Sequence, residues 1–361
     1  MVGTTLGRYF AGRFVAASLG VFFGLFVLLV FVDYIDMLRR AGNLNVSALV
    51  LAQASFYRVP QLLERMMPFC ILIGGMTCYL ALSRSLELVV ARAAGLSAWE
   101  FISPALWSAV ALGIFASTVF NPVSAYMQER AKQMEAELFG DGSGSLQDAN
   151  GFWINQITSE GQAIISAAQS QRQGALLTGL TVFRFEPNFQ FKERIEAREA
   201  TLQPGYWLFK GVRRYTLGEL PVDQDSFRLP TTLTVAQIRN DFTVPESVSF
   251  WQLPDYIRSS ESSGFATSGY RLQYYKLLAK PFLLAAMVML AASVSLRFFR
   301  FGGVQKMVLS GVAAGFLLYI LSKVTEDLSK AELMNPLAAA WLPVSVGGLA
   351  GFLALLYQED G

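Results

Sequence analysis

A chain of 361 residues that is 53% apolar and only 16% charged is too apolar for an ordinary soluble domain, where about a quarter of residues carry charge. A formal net charge of +2 excludes an electrostatic footprint for nucleic acid, and the absence of histidine excludes His-based triads, His-ligated metals and titration near neutral pH. The two cysteines, Cys70 and Cys78, share one apolar run and read as buried small hydrophobes, not as a disulfide framework or a metal pair.

In chain order, the first apolar run is Phe14–Val32, long enough to cross a bilayer, with Arg8 and Arg13 before it. It is too long for a signal-peptide core and is expected to be retained as the first span. Met66–Ser83 and Phe101–Gln128 supply the second and third spans, with Pro122 expected to mark the exit of the third. From Glu129 to Lys276 charges return and no spanning run occurs. LTVFRF at 180–185 alternates with period two, and FQFKERIEA, GYWLFKGVRRYTL and FRLPTTLTV follow between turn residues, so this stretch is expected to be an all-β domain, a sandwich or jelly roll. Pro281–Leu296, Met307–Ser322 and Leu333–Gln358 then complete six spans. The expected organisation is spans one to three in 1–128, a β domain in 129–276 and spans four to six in 277–361.

The fold class read from this pattern is a six-span α-helical membrane protein with an inserted jelly-roll-like domain. Basic residues set its orientation. With the N-terminus inside, Arg8, Arg13, Arg84, Arg92, Arg297, Arg300 and Lys306 face the cytoplasm, while Arg39, Arg40, Arg58, Arg65, Lys323 and Lys330 lie outside. Both termini are then cytoplasmic and the β domain is periplasmic.

Between the second and third spans, Ser83–Ser97 reads as a helix with Leu86, Val89, Val90 and Ala93 on one face and Arg84, Glu87 and Arg92 off it. Gly95 is expected to stop this helix and Ser97 to cap the next. Its apolar face has no lipid to fill it, so it is expected to dock into a partner. Nothing in the chain offers nucleotide chemistry: the Gly-rich stretch GDGSGS at 140–145 lacks the lysine of a phosphate loop. Gly20/Gly24, Gly311/Gly315 and Gly347/Gly351 have the spacing that lets helices approach closely, either within the chain or against a second subunit. Asp36, Arg39 and Arg40 sit at the outer end of the first span, where they read equally as interfacial anchors or as a fork for headgroup phosphates.

LGRY at 6–9, YIDMLRRAGN at 34–43, MPFCILIGGM at 67–76, RSLELVVARAAGLS at 84–97 and Asn121-Pro122 together resemble the lipopolysaccharide export permease family, LptF and LptG. Residues 36–42 look more like the LptG branch. In that register Asp33 stands where family members carry a lysine. The resemblance implies a non-catalytic inner-membrane subunit that pairs with an LptF-like permease on an LptB-like ATPase dimer, which alone binds ATP. An LptC-like single-span protein would lie beside span one. Lipopolysaccharide would enter a cavity from the outer leaflet and pass to a periplasmic bridge. By the same resemblance, Arg84, Glu87, Leu88, Arg92 and Gly95, within a coupling helix at 84–95, would meet the ATPase. Asp36, Arg39, Arg40, Arg130 and Lys132 would face the substrate, and Gly20, Gly24, Gly311 and Gly315 would pack against a second subunit. The alternatives are a mechanotransmission permease that moves no lipid and a polytopic membrane enzyme.

Overall fold

A computed structural model describes residues 4–42, 46–139, 152–158, 161–171, 176–186, 190–216, 218, 220–231, 245–262, 267–299 and 304–359. It divides into two compact units: Met1–Ala131 with Pro245–Pro254 and Ser268–Gly361, and Lys132–Val244 with Asp255–Thr267. The segment Pro245–Pro254, expected within the β domain, packs with the helices.

The first unit holds six helical runs long and apolar enough to cross a membrane. They are α1 (Thr4–Arg40), α2 (Ala48–Arg84), the run α4 (Ala98–Phe115) into α5 (Asn121–Phe139), α7 (Ser268–Phe299), α8 (Val304–Lys330) and α9 (Pro336–Glu359). Between α2 and α4 lies the short α3 (Glu87–Ala93), and α6 (Leu253–Ser262) precedes α7. The spanning windows of α2 and α7 are each 61% buried, against 6% for α1 and 22% for α8, so α2 and α7 form the centre and the other two present open apolar flanks. The core between the central helices is apolar, with Phe14, Leu72, Tyr79, Phe101, Ile102, Leu284, Met287 and Val288 in one cluster.

Pro122 does not end the helix of the third span. A π turn, Ala116–Phe120, joins α4 to α5 and the helix runs on to Phe139. In α-helical geometry Pro122 would leave the Thr118 carbonyl without its N–H donor. The indole Nε1–H of Trp251 donates to that carbonyl at 3.0 Å. Pro281 in α7 likewise releases the Leu277 carbonyl, which accepts from Ser117 Oγ at 2.7 Å. Gly113 lies against Pro281 so closely that a Cβ would overlap its backbone. The third and fourth spans thus cross where each carries a helix defect, and side chains answer the carbonyls those defects expose.

The charges flanking the fourth and fifth spans are neutralised by one another. Lys280 Nζ lies 2.5 Å from Glu64 Oε1, with only 12% and 9% of their side chains exposed. Lys276 pairs with Glu326 at 2.8 Å, and Glu326 also takes Lys330 at 2.8 Å. These pairs explain how apolar runs that look short between charges belong to longer helices.

In the second unit six strands form one antiparallel sheet in sequential order: β1 (Phe152–Thr158), β2 (Gly161–Gln171), β3 (Leu176–Phe185), β4 (Phe191–Gln203), β5 (Tyr206–Thr216) and β6 (Val222–Pro230). This is an up-and-down meander; among the described residues no strand crosses to a second sheet in the manner of a jelly roll. β3 to β6 fall in the stretches that period-two patterning marks, whereas β1 and β2 are missed there, β2 because GQAIISAAQSQ is small and polar. The buried face carries Ile165, Leu180, Val182, Ile195, Trp207, Phe209 and Val212. On β3, β4 and β5 the buried positions change parity: Leu177 then Leu180, Ala197 then Ala200, Phe209 then Val212. The change falls at Gly179 and Gly211, both with positive φ, and at Arg198 between them, one line across three strands where the ladder pairing is interrupted. Phe183 and Phe185 lie off the buried face, and Phe185 meets the exposed Phe191 edge to face at 5.8 Å. Gly140–Ser145 and Phe189 lie outside the described residues.

Candidate functional site

The loop between α2 and α4 is built by three local devices. Leu86 turns the chain with φ of 61°, so α2 ends at Arg84 and a separate helix, α3, begins at Glu87. The expected continuous helix over 84–95 is therefore shorter, broken by a left-handed residue that a straight periodicity reading cannot see. At its other end Gly95, with φ of 87°, closes a Schellman motif: its N–H donates to the Arg92 carbonyl at 2.9 Å and that of Leu96 to Ala91 at 3.1 Å. Ser97 and Glu100 then cap α4 reciprocally in a capping box.

α3 is anchored on one edge and open on the other. Leu88 and Ala91 are buried, and the Arg92 guanidinium lies over the Phe101 ring at 5.9 Å. Glu87 accepts from Ser85 Oγ at 2.8 Å and pairs with Arg13 of α1 at 3.5 Å. The Ser85 hydroxyl, helped by Tyr9 and Arg13, holds the Glu87 carboxyl below its ordinary value. Leu86, Val89, Val90 and Ala93 stay exposed, and Arg84 is exposed beside them. Leu88, expected at a partner contact, faces this chain's own core.

At the opposite end of α1, Arg40 pairs with Asp36 at 2.8 Å one turn away, both about half exposed, and Arg39 is exposed. Asp33 is buried. It accepts from Ser55 Oγ at 2.8 Å and meets Arg58 at 3.7 Å, tying α1 to α2. An acid at this position thus has a structural partner in Arg58. In α5 the Arg130 guanidinium lies over Tyr126 and donates to its hydroxyl at 3.3 Å, while Lys132 follows on the same helix, half-buried.

The glycine pairs separate into classes. At Gly311 a Cβ would run into Met76, and at Gly315 into Leu72 and Phe69, so both are spent on packing α8 against α2. Their expected contact with a second subunit is thereby corrected: they are buried within this chain. Gly20 and Gly24 are exposed on α1, with open space around each Cβ position. Gly347 and Gly351 pack against Leu318 and Met289.

Sequence reasoning missed the most elaborate polar cluster. Glu64 receives Asn121 Nδ2 at 3.1 Å, Ser124 Oγ at 2.5 Å and Lys280 Nζ at 2.5 Å, joining the second, third and fourth spans. Its only sequence signal is a charge flanking an apolar run. Cys70 and Cys78 are buried free thiols. Among the described residues no group of acidic and sulfur side chains could hold a metal ion.

Residues 8–357 match the family model for the lipopolysaccharide export system permease LptF/LptG. The chain is 22% identical over 357 residues to the lipopolysaccharide export system permease protein LptG of Escherichia coli K12, covering 94% of each chain. It is 20% identical over 335 residues to the protein of that name from Haemophilus influenzae, covering 90% of each. With its six spans, its β insertion and a family match over nearly its whole length, the chain belongs to the LptF/LptG family of lipopolysaccharide export permeases.

Proposed function

We propose that this chain is the LptG-type permease subunit of an ATP-driven exporter. It would take lipopolysaccharide from the outer leaflet of the inner membrane and pass it towards a periplasmic bridge. The observation that carries the reading is α3: one edge is locked to the chain's own core, and the other leaves Leu86, Val89 and Val90 exposed on a short loop helix. An apolar edge of this kind is suited to a groove on a separate, soluble subunit. An LptB-like ATPase dimer would supply that groove and bind the nucleotide. An LptF-like permease would complete the cavity, and an LptC-like single-span protein would lie beside the open flank of α1.

ATP-driven closure of the partner would move α3, and α1 with it through the Glu87–Arg13 pair. Narrowing the cavity would then expel the acyl chains, each exposed CH₂ of which costs about 0.8 kcal/mol in water. That cost requires a continuous apolar path out of the membrane. Arg39, Arg40, Arg130 and Lys132 would meet the phosphates of the headgroup, and Asp36 would orient Arg40.

The test co-expresses the chain with the ATPase and second permease of its own export system and compares wild type with Val90→Asp and Glu87→Lys. Both variants are expected to fold, to retain the second permease and to lose ATPase stimulation and lipopolysaccharide release to an acceptor. Full stimulation in both variants overturns the docking of α3. ATPase stimulation with no lipid bound or released by the wild-type complex instead supports the mechanotransmission alternative.

A further inference from the structure

Pro245–Pro254 runs into the first turn of α6, and it packs with the helical unit although it follows the sheet in sequence. It is held by side chains from four different spans. Gln61 Nε2 of α2 donates to the Glu246 carbonyl at 3.0 Å. Lys330 of α8 pairs with the Glu246 carboxylate at 3.2 Å. From the third span, Asn121 Oδ1 accepts the Phe250 N–H at 2.8 Å and the Thr118 carbonyl accepts Trp251 Nε1–H at 3.0 Å. From α7, Tyr274 stacks on Phe250 with centroids 5.7 Å apart and rings nearly parallel.

The attachment points are not arbitrary. Thr118 lies in the π turn four residues before Pro122, which has no N–H to offer its carbonyl. Asn121 uses both ends of its amide: one grips the connector, and the other donates to Glu64, the residue that gathers the second, third and fourth spans. A shift of any of these helices relative to another must therefore strain or release a connector contact. Burial pushes the Glu246 carboxyl up, but the Lys330 and Arg65 charges pull it down further, so it stays ionised.

We propose that Pro245–Pro254 is a strap that reads the spacing of spans two to five and couples their movement to lipid transfer. Asn121 and Trp251 act as positioning residues for the transport cycle. This rests on the export reading above only for what the strap serves. Its prediction is that a loosened strap leaves ATP hydrolysis running while lipid transfer stops.

The experiment uses the complete complex in proteoliposomes and the paired variant Gln61→Leu/Trp251→Phe, which removes a donor at each end of the strap and leaves Asn121–Glu64 intact. Trp251 is exposed, and phenylalanine keeps an aromatic ring there while removing the N–H; Trp251→Phe alone serves as the second variant. Deuterium exchange across 245–254 is expected to rise about tenfold for the paired variant, as for the loss of one or two neutral hydrogen bonds in a local opening. ATPase stimulation is expected to persist while lipopolysaccharide release falls. Unchanged exchange means these contacts do not hold the strap, and faster exchange with wild-type lipid release means the strap transmits nothing; either result overturns the proposal. A merely structural role would lower hydrolysis and release together with melting temperature. If the wild-type complex releases no lipid, the export reading fails, yet the exchange and its response to nucleotide trapping still decide whether the strap senses helix movement.

Discussion

Glu64 is the residue on which three spans converge, and its surroundings set what its loss would cost. Lys280 neutralises it, while Asn121 and Ser124 fill its remaining acceptor sites. A buried pair of this kind adds little net stability over an apolar pair of the same shape, but removing one partner strands the other charge. Lys280→Ala is therefore expected to destabilise the chain by about 3–5 kcal/mol in detergent thermal melts, with Glu64→Gln/Lys280→Met recovering most of that loss. Equal losses for the single and double variants would show that packing, not the stranded charge, sets the cost. Little of this cluster was legible in the sequence. Glu64 and Lys280 lie 216 residues apart, and each looks from its neighbours like an ordinary interfacial charge. Asp33 was equally opaque: as a departure from the family pattern it read as a lost basic contact, and its role emerges only from Ser55 and Arg58 on the next helix.

Elements defined by periodicity were the easiest to read, and their failures share one cause. The apolar edge of α3 follows from spacing alone, as do the long spans and β3 to β6. What periodicity cannot register is a single residue that redirects the chain. Leu86 in the left-handed region splits the expected helix, and the π turn lets the helix of the third span continue past Pro122. Likewise β2 buries Ala163, Ile165 and Ala167 at alternate positions, but side chains that small do not stand out from their neighbours in the sequence. Leu86 also exposes a competition between stability and docking. A left-handed leucine costs about 1–2 kcal/mol, and its side chain is 58% exposed, so side-chain packing among the described residues offsets little of that strain. Leu86→Gly is expected to raise the stability of the isolated chain by about 1 kcal/mol and, on the proposed docking of α3, to weaken the hold on an ATPase partner, read as a higher melting temperature and a lower yield of co-purified partner. A higher yield would remove Leu86 from the docking edge.

For the molecule as a whole, the distribution of glycines shows which helix faces are used up and which remain. Sequence spacing made Gly20/Gly24 and Gly311/Gly315 look alike, because an i, i+4 pair of glycines carries no address for its partner. The structure separates them: α8 spends its pair on α2, while the α1 pair stands in open space on the least buried of the six spans. Leucine at Gly315 must displace Leu72 and Phe69, an overpacking that costs about 1–3 kcal/mol. A Cβ at Gly24 meets no described atom within 4 Å, and leucine replaces a poor helix former, so the isolated permease should lose no stability. If α1 offers its small face to another membrane helix, Gly24→Leu should abolish that association through loss of close backbone approach. The two variants are thus expected to give opposite signatures: Gly315→Leu lowers the melting temperature of the chain alone, and Gly24→Leu leaves it unchanged but depletes the single-span or second permease subunit from the purified complex. Full recovery of both subunits with Gly24→Leu would return the α1 face to the lipid.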